Sequence, residues 1–411
     1  MIIESARGAL VRDTDGREYV DCLAGAGALP LGHNHPVVVE AIEQALHADV
    51  PLTTLDLPTP TKDLFVEQLF AVLPPGLVDG RIQFCSPSGA DAVEAALKLA
   101  KIATRRSGIV AFGGGYHGMT HGALAVTGAV GPKAPLGPLV ADVHHLPFPT
   151  ARSPIDDELC TRVLHWALHD DHSGITPPAA VIAEPVQGEG GVHPMPEPFA
   201  QALRTGTRAV GSVLIADEVQ TGLGRTGPLW ASTPLGLDPD VMVLSKAIGG
   251  GLPLAVIVYR SELDVWAPGA HAGTFRGSQL AMAAGAATIR HVIAERLDEH
   301  AVVMGARLMD GLRAAVEQAD GCAADAVGDI RGRGLMVGVE LVDPERLSPL
   351  GVPEADGKAA SRMQHGMLRR GVIAEVGGRG EAVLRFLPPL NIEPELVDRV
   401  VEVFADTLHD L

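Results

Sequence analysis

Short apolar runs, each closed by a charged or glycine-rich segment, alternate along most of this chain with stretches of helical period. Ala179-Ala-Val-Ile-Ala183, Val213-Leu-Ile-Ala216 and Val241-Met-Val-Leu244 contain no polar position. That is the pattern of strands buried on both faces of a parallel sheet. Ile82-Gln-Phe84, Ile109-Val-Ala-Phe112 and Leu254-Ala-Val-Ile-Val-Tyr259 extend the set. The periodicity predicts helices over 37–48, 58–73, 93–105, 158–169 and 197–209, and one long alanine-rich helix over 280–308. Near the start, Ala9-Leu-Val11 and Glu18-Tyr-Val20 flank Asp13-Thr-Asp-Gly16, a hairpin signal. Residues 126 to about 154 show no period and many Pro and Gly, and read as a surface excursion of the kind found near active sites. From about Val327 strand-like runs alternate with helices over 357–370 and 393–408, which reads as a compact α+β unit.

Charge falls at the carboxyl ends of the three buried runs. The first leads into Glu184-Pro-Val-Gln-Gly-Glu189, the second into Asp217-Glu-Val-Gln220, the third into Ser245-Lys246 and three glycines. In one open α/β sheet Glu184, Asp217 and Lys246 converge at the edge where such sheets place their chemistry. Taken alone, Lys246 is equally a lysine that snorkels out of a strand end; the company of the other two ends argues against that. Cys85-Ser-Pro-Ser-Gly-Ala90 joins a strand to a helix N-terminus and can cradle an anion, although Ser88 and Asp91 are also ordinary capping residues. Gly113-Gly-Gly-Tyr-His-Gly118 places Tyr116 and His117 in a loop at another strand end, where a ring can lie against a planar ligand.

With 411 residues and 46% hydrophobic content, the chain can bury a large core. A net charge of −18 with no basic cluster argues against nucleic acid. No apolar run is long enough to span a bilayer, and Met1-Ile-Ile-Glu4 begins no signal pattern, so the expectation is cytoplasmic with no membrane partner. Four scattered cysteines form no C-x-x-C pair, and His33 and His35 lack a carboxylate or thiol to complete a ligand set, so no metal is expected.

A lysine able to form a Schiff base, a phosphate cradle, a carboxylate for a pyridinium nitrogen and an aromatic ring cover are together the demands of pyridoxal phosphate (PLP). Asp217-Glu-Val-Gln-Thr-Gly-Leu-Gly-Arg-Thr-Gly227 with Lys246 resembles the signature of the class III (omega) aminotransferases. The likeness spans nearly the whole chain and includes Gly32-His-Asn-His-Pro36, Glu184–Glu189, Gly273-Thr-Phe275 and Arg385-Phe-Leu-Pro-Pro389. Within the class, Ala90–Ala100, Tyr116-His-Gly-Met-Thr120, Trp266–Gly277 and Glu375-Val-Gly-Gly-Arg379 resemble the diaminobutyrate–2-oxoglutarate aminotransferases.

The resemblance implies an α/β chain of PLP fold type I. A large, mostly parallel sheet domain over 51–310 would carry the cofactor, with a smaller α+β domain from both termini (1–50 and 311–411). It implies that Lys246 holds PLP, that Asp217 pairs with the ring nitrogen and Gln220 lies on the ring-hydroxyl side, and that Tyr116 stacks on the ring beside His117, with Glu184 nearby. Gly89, Ala90 and Ser88 would bind the phosphate. Thr274 would reach the phosphate of a partner subunit across a homodimer interface. Arg385 would bind the α-carboxylate of glutamate or 2-oxoglutarate, and Glu189 would pair with Arg385 when the other substrate enters by its terminal amine. The substrates expected are L-2,4-diaminobutyrate and 2-oxoglutarate, in a ping-pong exchange; another omega-amine, or racemase chemistry on the same fold, is the alternative. A PLP-fold protein without catalysis is a third reading, against which intact Lys246 and Asp217 stand. The lead before the hairpin looks short for the class, Ser86-Pro-Ser-Gly replaces the commoner Gly-Pro-Thr-Gly, and Ser278 stands where Asn is usual.

Overall fold

The computed structural model describes residues 1–411 apart from Ala151, Ser153, Pro154 and Leu350, and the side chain of Cys322. Its centre is a seven-stranded sheet. In chain order the strands are β1 (Arg81–Phe84), β2 (Ile109–Phe112), β3 (Val143–Leu146), β4 (Ala180–Ala183), β5 (Val213–Asp217), β6 (Val241–Leu244) and β7 (Val256–Tyr259). Their order across the sheet is β1-β7-β6-β5-β4-β2-β3. β3, β2, β4, β5 and β6 run parallel, and β7 is antiparallel to both of its neighbours. β2, β4, β5, β6 and β7 are buried at every position, as their unbroken apolar runs require.

Helices cover the sheet because parallel strands need crossovers. α1 (Gly89–Thr104) buries Val93, Ala96, Leu97 and Ala100 in one apolar cluster with β2, β4, β5 and β6. The other face packs Phe112, Phe148 and Phe199 edge to face at 5.6–5.9 Å, closed by the helix Glu197–Val210. A second sheet pairs β8 (Val327–Arg333), β9 (Met336–Leu347), β10 (Glu375–Gly377) and β11 (Val383–Phe386) in the order β8-β9-β11-β10. A third joins the two ends of the chain, for Val372–Ile373 runs parallel to Glu18–Asp21. No described helix is long and apolar enough to cross a membrane.

Four expectations change. The single helix over 280–308 is two, α2 (Gln279–Ala294) and α3 (Leu297–Gln318). Arg296 takes φ 52° between them, so the chain turns with neither Gly nor Pro to mark the place. The excursion over 126–154 contains β3, an edge strand whose Val-His-His-Leu shows no alternation, and its end at Pro154 lies outside the described residues. The N-terminal hairpin gains a further strand, Ile3–Arg7, too exposed to carry an apolar pattern. The helix expected from 93 begins at Gly89, which brings its N-terminus to the sheet edge.

The turn after β6 is wedged against α2. A Cβ added at Gly285 would lie 2.1 Å from the Ile248 carbonyl, and one at Gly250 (φ +60°) would lie 2.8 Å from that of Ala284. Helix and turn therefore touch backbone to backbone. Gly285→Ala should force them apart at a cost of about 1–3 kcal/mol and lower the melting temperature by several degrees in thermal unfolding followed by circular dichroism. An unchanged melting point would mean that the contact yields freely.

Candidate active site

β4, β5 and β6 are neighbours, so the residues that follow them meet at one edge. There a cavity of about 450 Å³ is lined by Ser88, Gly89 and Ala90 from the start of α1, by Tyr116–Thr120, and by Glu184, Glu189, Asp217, Val219, Gln220, Ser245 and Lys246. Of the residues singled out in the sequence, the cavity gathers all but Thr274 and Arg385. Thr274 is exposed outside it, and Arg385 stands behind Glu189.

Lys246 opens a short 3₁₀ turn, Lys246–Gly249, with φ +48°. A left-handed lysine costs about 1–3 kcal/mol of local strain and persists only where its surroundings impose it. Its amine has no hydrogen-bond or ion-pair partner among the described residues. Burial pushes the ammonium below the ordinary lysine range, against the pull of Glu189 and Asp217.

Asp217, the last residue of β5, accepts at Oδ2 from His117 Nδ1 at 2.7 Å and at Oδ1 from the Val219 N–H at 3.1 Å. The His117 N–H in turn reaches Thr127 Oγ1 at 3.0 Å. Burial works against a charged imidazole, but the hydrogen bond and charge of Asp217, with Glu184 adding to them, hold His117 above the ordinary histidine value. Glu184 accepts from the Tyr116 N–H at 2.8 Å and the Gly188 N–H at 3.0 Å, and so ties two loops at the cavity wall. Burial raises its carboxyl to about 7. Gly118 has φ +122°, and a Cβ there would strike Ala90 Cβ at 2.4 Å, so the Tyr116 loop rests on the very start of α1.

Gly89 and Ala90 occupy the first turn, where helix N–H groups have no intrahelical acceptor. Ser88 sits at the cap position without a side-chain cap bond. Asp91, the other expected cap, instead accepts from the Ser86 N–H at 2.8 Å and pairs with His271 at 2.9 Å. Gln220 donates to the Ala26 carbonyl at 3.2 Å and leaves its buried oxygen without a partner among the described residues. His33 bonds Asp21 at 2.8 Å, and the His35 ring lies 4.7 Å from that of His291.

Arg385, 1% exposed, donates to both oxygens of Glu189 at 2.8 Å each. The Gly378 N–H holds the Glu189 carbonyl at 2.9 Å, and Arg331 bonds the Gly191 and Val192 carbonyls, so the loop bearing Glu189 is pinned from the second sheet. Gly377 leaves room for the guanidinium: a Cβ there would lie 2.8 Å from Arg385 Nε. One residue was quoted in the sequence only as part of a motif, with no role assigned to it. Glu375, directly across the β10–β11 pair from Arg385, takes its third bond at 2.6 Å. The signal that could have found it is the short hairpin itself, which sets an acid opposite a base.

A parallel sheet with a lysine, an acid–histidine pair and a helix N-terminus converging beyond its strand ends defines an enzyme that works through a phosphorylated, carbonyl-bearing group. Residues 1–408 match the model of the family described as aminotransferase class-III, and the chain belongs to that family. It is 53% identical to the diaminobutyrate–2-oxoglutarate aminotransferase of Rhizobium meliloti, over 98% of this chain and 87% of that one. It is 43% identical to the enzyme of the same name from Haemophilus influenzae, over 98% and 89%. Its fold matches an amine transaminase from an uncultivated Pseudomonas species, in PLP-bound form, with a TM-score of 0.88 and 30% identity over 100% of this chain and 95% of that one. The ornithine aminotransferase of Toxoplasma gondii matches with a TM-score of 0.83 and 26% identity, over 100% and 90%.

The His117–Asp217 pair makes a testable claim about protons. Because the folded state holds His117 above its ordinary 6.5, the pair's contribution to stability is complete below pH 6.5 and drains away as pH rises through the folded value. In Asp217→Asn the main opposition to burial is gone, and the imidazole should titrate lower than in the parent, as read by NMR of histidine-labelled protein with His117→Gln to assign the signal. An unmoved titration would sink the assignment of Asp217 as the group that charges His117.

Proposed function

We propose that this chain transfers the 4-amino group of L-2,4-diaminobutyrate to 2-oxoglutarate, giving aspartate 4-semialdehyde and glutamate. The observation that carries the transamination is Lys246, an amine with its pKa lowered, without a partner among the described residues, set between an acid–histidine pair and a helix N-terminus; the choice of diaminobutyrate is supported by the two relatives of that name. These residues fit PLP. Gly89 and Ala90 offer N–H groups and a helix dipole to a phosphate, with the Ser88 hydroxyl beside them. Gln220 has an orphaned buried oxygen for a ring hydroxyl, and Tyr116 lines the wall a ring would face. When bound, PLP supplies the electron sink and carries the amino group between the two half-reactions.

The rest is the chain's own work. Asp217, itself fixed by His117, keeps a proton on a pyridine nitrogen; the imidazole–carboxylate bond prevents the acid from turning away. Lys246 holds the cofactor by its amine. With the cofactor bound, the same amine would be the base that moves the proton at the reacting carbon, a task its depressed pKa suits. Glu184 keeps the Tyr116 loop and the Gly188 turn closed over the site. Glu189 covers Arg385 while a terminal amine is in the pocket, and gives way when the α-carboxylate of 2-oxoglutarate claims the guanidinium by the same two-pronged geometry.

A homodimer completes the reading. Leu52, Leu55, Leu57, Met119 and Phe275 are all about half exposed or more, and the Asp56–Arg276 ion pair joins the two loops that carry most of them. A shared interface would cover this apolar surface and bring Thr274 to the partner's phosphate site. The charge pattern and the lack of an apolar span suit the cytoplasm.

The absorbance of the cofactor-loaded protein should shift on adding diaminobutyrate and return on adding 2-oxoglutarate. A shift with 4-aminobutyrate and none with diaminobutyrate would refute the substrate but keep the reaction. Lys246→Ala should keep cofactor through the phosphate cradle yet lose turnover by roughly a thousandfold or more. Arg385→Ala should cost the 2-oxoglutarate half-reaction on the order of a hundredfold in kcat/KM and the diamine half much less; equal losses would count against the exchange at Glu189.

A further inference from the structure

Arg385 carries one more carboxylate than it needs. Glu189 takes two of its bonds and Glu375 a third, at 2.6 Å, so one buried guanidinium faces two acids. Both acids are within electrostatic reach of Lys246. We propose that Glu375 is a donor-specificity residue, the surplus negative charge that selects a donor bearing a second ammonium group over one bearing only a carboxylate at its far end. This rests on the diamine reading above and deepens it.

With Glu189 docked, Arg385 is neutralised and Glu375 is left over. A diamino acid brings one amine to Lys246 and a second towards the Glu189 side of the cavity, where the charge of Glu375, set behind it, acts through space. An omega-amino acid without the second amine brings only a carboxylate, which the wall repels. Discrimination built on a repelled charge is stronger than discrimination by shape, because in a partly dry site an unmatched charge has no water to turn to. The two acids also differ in kind. Burial tends to raise Glu189, but its two bonds and the charge of Arg385, with Lys246 and Gln220, bring it below the ordinary range. Glu375 has a single bond, and burial, with Glu189 beside it, leaves its carboxyl above the ordinary range. It is therefore the less firmly held of the two charges. A side chain that merely oriented Arg385 would need none of this.

The test uses the cofactor-loaded protein and donors paired so that each pair differs by one ammonium group: diaminobutyrate with 4-aminobutyrate, and ornithine with 5-aminopentanoate. Glu375→Gln keeps an oxygen for Arg385 and removes the charge. It should lower the kcat/KM preference for the diamino member by about tenfold or more, and Glu375→Asp should restore most of that preference. Binding of glutarate, an unreactive dicarboxylate read by the cofactor's absorbance, should be as tight in Glu375→Gln as in the parent or tighter. Thermal unfolding confirms that the variants fold. An unchanged preference, or weakened glutarate binding, would overturn the proposal in favour of a residue that only positions Arg385. A parent protein that ignores diaminobutyrate but prefers ornithine to 5-aminopentanoate would sink the substrate reading and leave Glu375 its role. A parent that prefers the monoamines would sink both.

Discussion

An ammonium group taken out of water without a partner gives up its proton readily, and Lys246 is held in that condition where three buried strands end. The rest of the site follows from the need to keep it so. Acids are needed close by, but none bonds the amine: Asp217 is spent on His117 and the Val219 N–H, Glu184 on two backbone N–H groups, and Glu189 on Arg385. Each carboxylate is occupied elsewhere, and each occupation fixes a loop. The lysine's freedom and the rigidity of its surroundings are the same arrangement seen from two sides.

The sheet explains why this happens in one place. Strands buried on both faces can carry no charge along their length, so polar chemistry emerges only where they stop. Adjacency of β4, β5 and β6 then brings three such ends together. The second sheet contributes from behind Glu189. It sends in Arg385 and Glu375 and pins the Glu189 loop through Gly378 and Arg331. The Glu189–Arg385 pair thus joins the loop that follows β4 to a strand of the second sheet. The exchange proposed for that pair would leave the lysine where it is.

What was legible in the sequence divides along the same line. Glu184, Asp217 and Lys246 could be read because apolar runs mark strands and the charge that ends each run is conspicuous. The helix N-terminus at Ser88–Ala90 could be read because its turn chemistry is local. β3 could not, since an edge strand with exposed His positions has no period to show. The break at Arg296 was hidden because the left-handed residue there is neither Gly nor Asn. Glu375 was visible as a motif residue, but its pairing with Arg385 was hidden for a different reason. Its meaning lies in register, and register depends on how Gly378–Ala382 turns, which short runs such as Glu-Val-Gly do not announce.

That difference bears on where specificity can reside. An amine transaminase and an ornithine aminotransferase share this fold closely, with TM-scores of 0.88 and 0.83. The fold therefore does not by itself distinguish one amine from another, since proteins named for different ones share it. Discrimination has to come from groups that touch the far end of the donor and not the reacting carbon. The candidates proposed for that in this chain lie at the second sheet, where one arginine behind Glu189 is shared by two acids whose proton affinities are pushed in opposite directions. A pocket that must accept a dication-bearing donor and then a dicarboxylate cannot satisfy both with fixed charges. On the proposed reading, Glu189 moving off Arg385 and the charge of Glu375 beside it would let one wall serve both substrates.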